Sequence, residues 1–206
     1  MPDADKYIIP ENHTGKAVDI EHAKTEENVE KAISEFSAIK YNLLRPHKWQ
    51  SIAGKATASF EIDSPMGKGG ALKEGDFIKI KIPGPGSPAG EGYDWVRAEK
   101  VLQNVVEGAD ESVVIQIRAC SDPHTKGQDV AHFFSDDATS SFILKRVGEK
   151  IVASYHGRNE RPNTDTEKVA DTVRNAVVAA GAMVGLSELQ WDALIKGFLG
   201  DNTDER

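Results

Sequence analysis

Among 206 residues there is a single cysteine, Cys120. That excludes an internal disulfide framework and a zinc site built on several thiolates. Positive charge is also short: 25 Lys and Arg against 33 Asp and Glu leave a net charge of −8. A surface that acidic repels phosphate backbones and anionic lipid, so neither nucleic acid nor a membrane is an expected partner. Long apolar runs are missing. The longest, Ala176 to Leu186, has eleven residues, too few to cross a bilayer. Met1 to Tyr7 carries acidic side chains and no apolar segment of the secretory type, so the cytoplasm is the expected compartment. There is no G-x-S-x-G nucleophile elbow, no internal repeat and no low-complexity tract. What is present is 39% apolar residues, in a chain long enough to remove about 70% of its unfolded surface from water.

Periodicity assigns the elements. Residues 1–24 are polar and mixed in charge, and are read as a flexible arm with a short strand near 6–10 around Tyr7-Ile8-Ile9. From Thr25, a candidate N-cap, the residues Val29, Ala32, Ile33, Phe36, Ile39 and Leu43 recur at steps of three and four, which predicts an amphipathic helix ending before Pro46. The period then falls to two. Six antiparallel strands are expected, at about 50–62, 76–83, 93–102, 112–120, 138–147 and 150–157. Gly148-Glu149 provides a tight turn between the last two. The end of the chain returns to helix. Thr164-Asp165-Thr166-Glu167 and Ser187-Glu188-Leu189-Gln190 both read as capping boxes. They predict a long helix with Val169, Val173, Ala176, Val177, Ala180 and Val184 on its buried stripe, then a short one carrying Trp191, Leu194, Ile195, Phe198 and Leu199. The domain is expected to span 25–200, with a disordered tail at 201–206.

Few groups can carry chemistry. The loop Pro83 to Gly92 is Gly-rich, but Pro83, Pro85 and Pro88 lack the N–H donors of a phosphate cradle, and Glu91 and Asp94 would repel the anion. It reads as a stiff hairpin loop or as a lid. Tyr93, Trp95 and Arg97 share one face of a strand and either line a ligand site or belong to the core. His132 lies among three carboxylates, yet its spacing of four to Asp136 would align a metal pair only on a helix. The stretch is read as a loop, and no metal or cofactor is assigned. His156, Arg158 and Asn159 stand where the last strand runs towards the long helix; His156 could act as a base, Arg158 could clamp a carboxylate, and both could equally be turn residues. The segments 93–97 and 156–160 are expected to face one opening. Cys120 is read as an inert thiol.

This order of elements resembles the helix-grip fold of the START and Bet v 1-like superfamily, over about residues 6 to 185. The resemblance is topological, with two departures: one clear helix rather than two precedes the main sheet, and an extra helix follows the long one. The stretches His132-Phe133-Phe134, Ala138-Thr139-Ser140-Ser141-Phe142 and His156-Gly157-Arg158-Asn159-Glu160 are also similar to small bacterial proteins of unassigned function. The superfamily resemblance implies an α+β fold with a curved six-stranded antiparallel sheet on a long C-terminal helix, and a cavity between them for a small apolar or amphipathic molecule. Non-enzymatic binding there is the leading functional expectation. The alternatives are an interaction or assembly protein with a filled core, and a small hydrolase or isomerase using His156, His132 or Asp94. The apolar run 176–186, with Gly181 and Gly185 one turn apart, suggests a homodimer through that helix.

Overall fold

A computed structural model describes residues 8–54, 57–64, 70–82, 87–126, 129–163 and 187–200. The fold is α+β, built on a seven-stranded antiparallel sheet rather than the six strands expected. Strands run β1 (Lys16–Thr25), β2 (Ser59–Asp63), β3 (Phe77–Lys81), β4 (Asp94–Gln103), β5 (Glu111–Ala119), β6 (Thr139–Val147) and β7 (Lys150–Glu160). Their order across the sheet is β1-β7-β6-β5-β4-β3-β2. Two helices, α1 (Val29–Leu43) and α2 (Trp49–Ala53), lie between β1 and β2, joined by a 3₁₀ turn at Pro46–Lys48. A third helix, α3, covers 187–198. The sheet order and the helices between β1 and β2 follow the element order of a helix-grip fold. The second helix before the main sheet, absent from the sequence reading, is α2.

The additional strand comes from the residues expected to form an arm. Val18 and Ile20 turn inward while Asp19 and Glu21 turn out, and every residue from Val18 to Thr25 has a partner on β7. A charged outward row suits an edge strand, where it discourages pairing with other chains. The short strand expected near 6–10 does not form among described residues 8–10; Ile8 instead packs with Val106, Val114 and Ile143 in a small cluster. Because Thr25 closes β1, it does not cap α1. The cap is Asn28, whose side chain accepts the Lys31 N–H at 2.8 Å. Ala32, Phe36, Ile39 and Leu43 are buried as expected, but Val29 and Ile33 are exposed. The expected strand 50–62 is helix to Ala53 and strand only from Ser59, because the Trp49 indole donates to the Leu43 carbonyl at 3.1 Å and holds the chain in a turn there.

The main core fills the space between the inner sheet face, α1 and α3. Its densest part is aromatic. Trp191 lies 5.2 Å from the rings of both Phe142 and Tyr155, stacked on the latter, and Trp49 packs on Phe60 and Phe142. Leu194, Ile195, Phe198 and Leu199 complete the stripe of α3, all buried. Register shifts at Ala98/Lys100 and at Lys16/Val18 mark bulges, which bend and twist a sheet. The long helix expected over 164–185, the apolar run 176–186 and the tail 201–206 lie outside the described residues. No helix among the described residues is long and apolar enough to cross a membrane. Trp191→Ala should cost about 3–5 kcal/mol in guanidinium unfolding; a loss below about 1 kcal/mol would mean that α3 is only loosely docked.

Candidate functional site

A cavity of about 270 Å³ lies between the inner sheet face and the start of α3. Phe60, Ile80, Val96 and Ile117 supply its sheet wall, one from each of β2 to β5; Leu189 and Trp191 supply the wall from α3. These residues fall on one face because side chains alternate along a strand. The His132-Phe133-Phe134 loop lines another part, with the His132 ring stacked on Phe133 at 4.5 Å. Backbone contacts fix this loop. Asp94 accepts the N–H groups of Ser87 and Phe133, each at 3.2 Å, and the Asn163 amide donates to the carbonyls of Val130 and His132.

Among the described residues, five polar ones line the cavity: Thr57, Ser187 and Gln190, and two whose bonding sets them apart. The first is His132, buried at 9% exposure. Its Nδ1 accepts the Phe134 N–H at 2.9 Å, so in the neutral ring the proton sits on Nε2, which has no hydrogen bond among the described residues. Burial pushes its pKa down, against the pull of the Asp94 carboxylate, and keeps the ring neutral. The second is Ser140 on β6. Its hydroxyl is 3.1 Å from the Tyr155 hydroxyl, which donates in turn to Glu160 Oε1 at 2.9 Å. Glu160 is 4% exposed, and its Oε2 has no hydrogen-bond partner among the described residues. Burial raises its pKa and the Glu188 carboxylate adds to the rise, against the Tyr155 hydrogen bond and the charges of Lys16 and Arg158.

Glu160 reaches the inner face through a break in strand phase. Strict alternation from Tyr155 would send residues 155, 157 and 159 inward and 156, 158 and 160 outward. Between Gly157 and Glu160, β7 has one residue more than β1 between Val18 and Lys16. Asn159 absorbs the extra residue in a left-handed conformation, φ 56°. Gly157 leaves the space: a Cβ there would overlap the Glu160 carboxyl and come 3.0 Å from the Tyr155 hydroxyl.

Of the residues singled out from sequence, the structure brings only His132 to the cavity. Tyr93, Trp95 and Arg97 flank the inward Val96, and Trp95 and Arg97 therefore turn to the outer face. Trp95 is 2% exposed there, beside Gly90 and Ala131; the Lys79 ammonium stands 3.7 Å from the Tyr93 ring centroid, and Arg97 is exposed. His156 and Arg158 also point outward, and both bond Asp19, at 2.6 and 2.7 Å. Partial burial resists ionisation of Asp19, but these two hydrogen bonds outweigh it and hold the carboxyl below its usual range. Asn159 ties down the N-terminal segment: its Oδ1 accepts the N–H groups of His13 and Thr14, and its own N–H donates to Asn12. Segments 93–97 and 156–160 thus do not meet at one opening; both place their cations on the outer face, with β5 and β6 between them.

The outer face carries one arrangement with catalytic order: Asp19 bonds His156 Nδ1, and His156 Nε2 bonds Ser154 Oγ at 3.0 Å. Acyl transfer also needs an accessible serine and free N–H donors for the oxyanion. Ser154 is 4% exposed, and β7 is paired with β1 on one side and β6 on the other, which commits its N–H groups to the ladders. The Cys120 thiol is pushed up to about 12 by burial, which leaves it protonated. No group of three or more metal-binding side chains occurs among the described residues. Ser140, Tyr155, Gly157 and Glu160 escaped the sequence reading as site residues; the one signal for them was Asn159 inside a strand, a residue type that tolerates the left-handed region.

No family model matches the chain, and no curated protein matches it. Among solved structures, the chain is similar to a hypothetical protein from Helicobacter pylori with a TM-score of 0.52 and 13% identity, covering 92% of this chain and 91% of that one. At that identity the likeness is one of fold. Looser matches are Ara h 8.0201, at TM-score 0.36 and 14% identity over 87% of this chain and 99% of that one, and a truncated norcoclaurine synthase from Thalictrum flavum, at 0.38 and 11% over 91% and 96%.

Glu160 gives a pH signature. Its folded pKa lies above its unfolded one, so the unfolded chain loses this proton first and stability falls as pH rises from the ordinary glutamate range through the folded pKa. Glu160→Gln should remove that fall. Guanidinium unfolding across a pH series should give a wild-type minus variant stability that declines with pH and then levels off; a flat difference would place the carboxyl in water.

Proposed function

We propose that the protein binds a small apolar or amphipathic molecule, without covalent chemistry, in the cavity between the sheet and α3. The observation that carries this reading is the cavity itself, about 270 Å³ with a largely apolar and aromatic wall. An apolar cavity of about 150 Å³ accepts benzene, so the space suits a molecule of about two fused rings. Among the described residues its polar lining is limited to Thr57, His132, Ser140, Ser187 and Gln190, and His132 and Ser140 are held in place by hydrogen bonds, which favours an oriented ligand. An assembly protein needs no such space in its core. The half-buried, protonated thiol of Cys120 and the lack, among the described residues, of free oxyanion donors beside Ser154 favour binding over hydrolysis. We place this activity in the cytoplasm, in keeping with a lone cysteine.

Naphthalene is a suitable probe. Calorimetry should give saturable 1:1 binding to the wild type. Ile82→Trp, placed at the cavity wall, should weaken it at least about tenfold while the melting temperature stays within about 3 °C. Absence of saturable binding, or binding untouched by the filled wall in a folded variant, would overturn the proposal.

A further inference from the structure

Resting on the cavity reading above, we infer that Ser140, Tyr155 and Glu160 form a reversible hydrogen-bond chain, and that the ligand carries an accepting oxygen, a carbonyl, which Ser140 binds when Glu160 is protonated. A phenol has one proton to give. While Glu160 is ionised, Tyr155 spends that proton on Oε1, 2.9 Å away, and must accept from Ser140 at 3.1 Å. Ser140 then offers the cavity only a lone pair, which repels a carbonyl oxygen. When Glu160 holds a proton, each bond can reverse. The carboxyl donates to the Tyr155 oxygen, Tyr155 donates to Ser140, and Ser140 donates into the cavity. No atom need move; only protons change sides.

Several observations favour this chain as a device rather than incidental packing. Glu160 is 4% exposed, with one oxygen unpartnered among the described residues, and burying an ionised carboxyl in that state is costly. Gly157 leaves the room that the carboxyl occupies. The chain ends on Ser140, which lines the cavity. Among the described residues, the charged groups that act on Glu160 come from three elements: Glu188 on α3, Lys16 on β1 and Arg158 on β7. Lys16 pairs with Glu188, and Arg158 is bonded to Asp19, so each cation already has a carboxylate of its own. Tyr155 cannot replace Glu160 as the titrating group, because burial and the neighbouring carboxylate push its pKa well above the usual phenol range. His132, the other titratable cavity group, belongs to a separate loop and is kept neutral by burial.

The test uses two neutral probes of one shape, 2-acetylnaphthalene and 2-isopropenylnaphthalene, titrated by calorimetry into the whole protein between about pH 5 and pH 8. The ratio of ketone to hydrocarbon affinity isolates the hydrogen bond from the apolar contact. In the wild type it should rise about three- to tenfold as pH falls. Tyr155→Phe cuts the chain and Glu160→Gln removes its titration, and in each the ratio should be independent of pH, with hydrocarbon binding retained. A flat ratio in the wild type, or the same slope in Tyr155→Phe, overturns the inference and leaves the cavity reading standing. Binding of neither probe overturns the cavity reading, and this inference with it.

Discussion

The side-chain period of two along β7, and its single interruption, decides what each face of this sheet can do. β7 is paired on both sides, with β1 and β6, so its backbone has no freedom to re-aim side chains one at a time. From Ile151 to Gly157 the phase is strict: Ile151, Ala153 and Tyr155 enter the core while Ser154 and His156 face out. One extra residue, taken up at Asn159, resets it. A carboxylate due on the solvated face is thereby delivered to the buried one, against the hydroxyl of Tyr155. Without the bulge, Glu160 would join His156 and Arg158 on the outside, and Ser140 would lose its link to an acid through Tyr155.

That wall depends on the aromatic cluster next to it. Trp49, Phe60, Phe142, Tyr155 and Trp191 occupy the middle of the inner face with ring centroids at 4.9–6.3 Å. Rings that meet edge to face or offset fill space in rigid units and do not slide into a neighbouring void as a Met or Leu side chain can. Phe60 and Trp191 belong to both the cluster and the cavity, so the packing that stabilises the core also fixes the size of the space beside it. The loop from Val130 to Phe134, bonded through Asp94 and Asn163, supplies rigidity elsewhere around the cavity.

Much of the fold was legible because regular patterns dominate it. The six strands from β2 to β7, the buried positions 32, 36, 39 and 43 of α1, and the stripe of α3 all follow from periods of two or 3.6. What escaped was irregular or short. β1 has two strong apolar residues, Val18 and Ile20, within a charged alternation, too faint a signal against an N-terminal arm. α2 is five residues long, less than two turns, and is set by the tertiary bond from Trp49 to Leu43 rather than by a repeating pattern. The cavity residues were harder still. Tyr93, Trp95 and Arg97 drew notice by residue type, yet their face is decided by the inward Val96 between them. Glu160 was noted only as the end of the stretch 156–160, because only the pairing register reveals that a residue has been inserted ahead of it.

The two faces of β7 make a pair of contrasting relays. Outside, the Asp19 carboxylate is bonded by both the Arg158 guanidinium and the His156 ring, and their effect is to tie an edge strand to its neighbour. Inside, among the described residues, Glu160 has a neutral partner, one unpaired oxygen and a second carboxylate nearby. Stability alone would favour an apolar residue or an amide at that position, since an unpartnered buried anion costs more than either. Departures from local rules of this kind tend to gather at functional sites, where strain or cost is offset by the rest of the fold. The outer relay satisfies those rules and reads as structure. The inner one violates them beside the largely apolar cavity, and that coincidence in space is the physical reason for placing the proposed binding on the inner face.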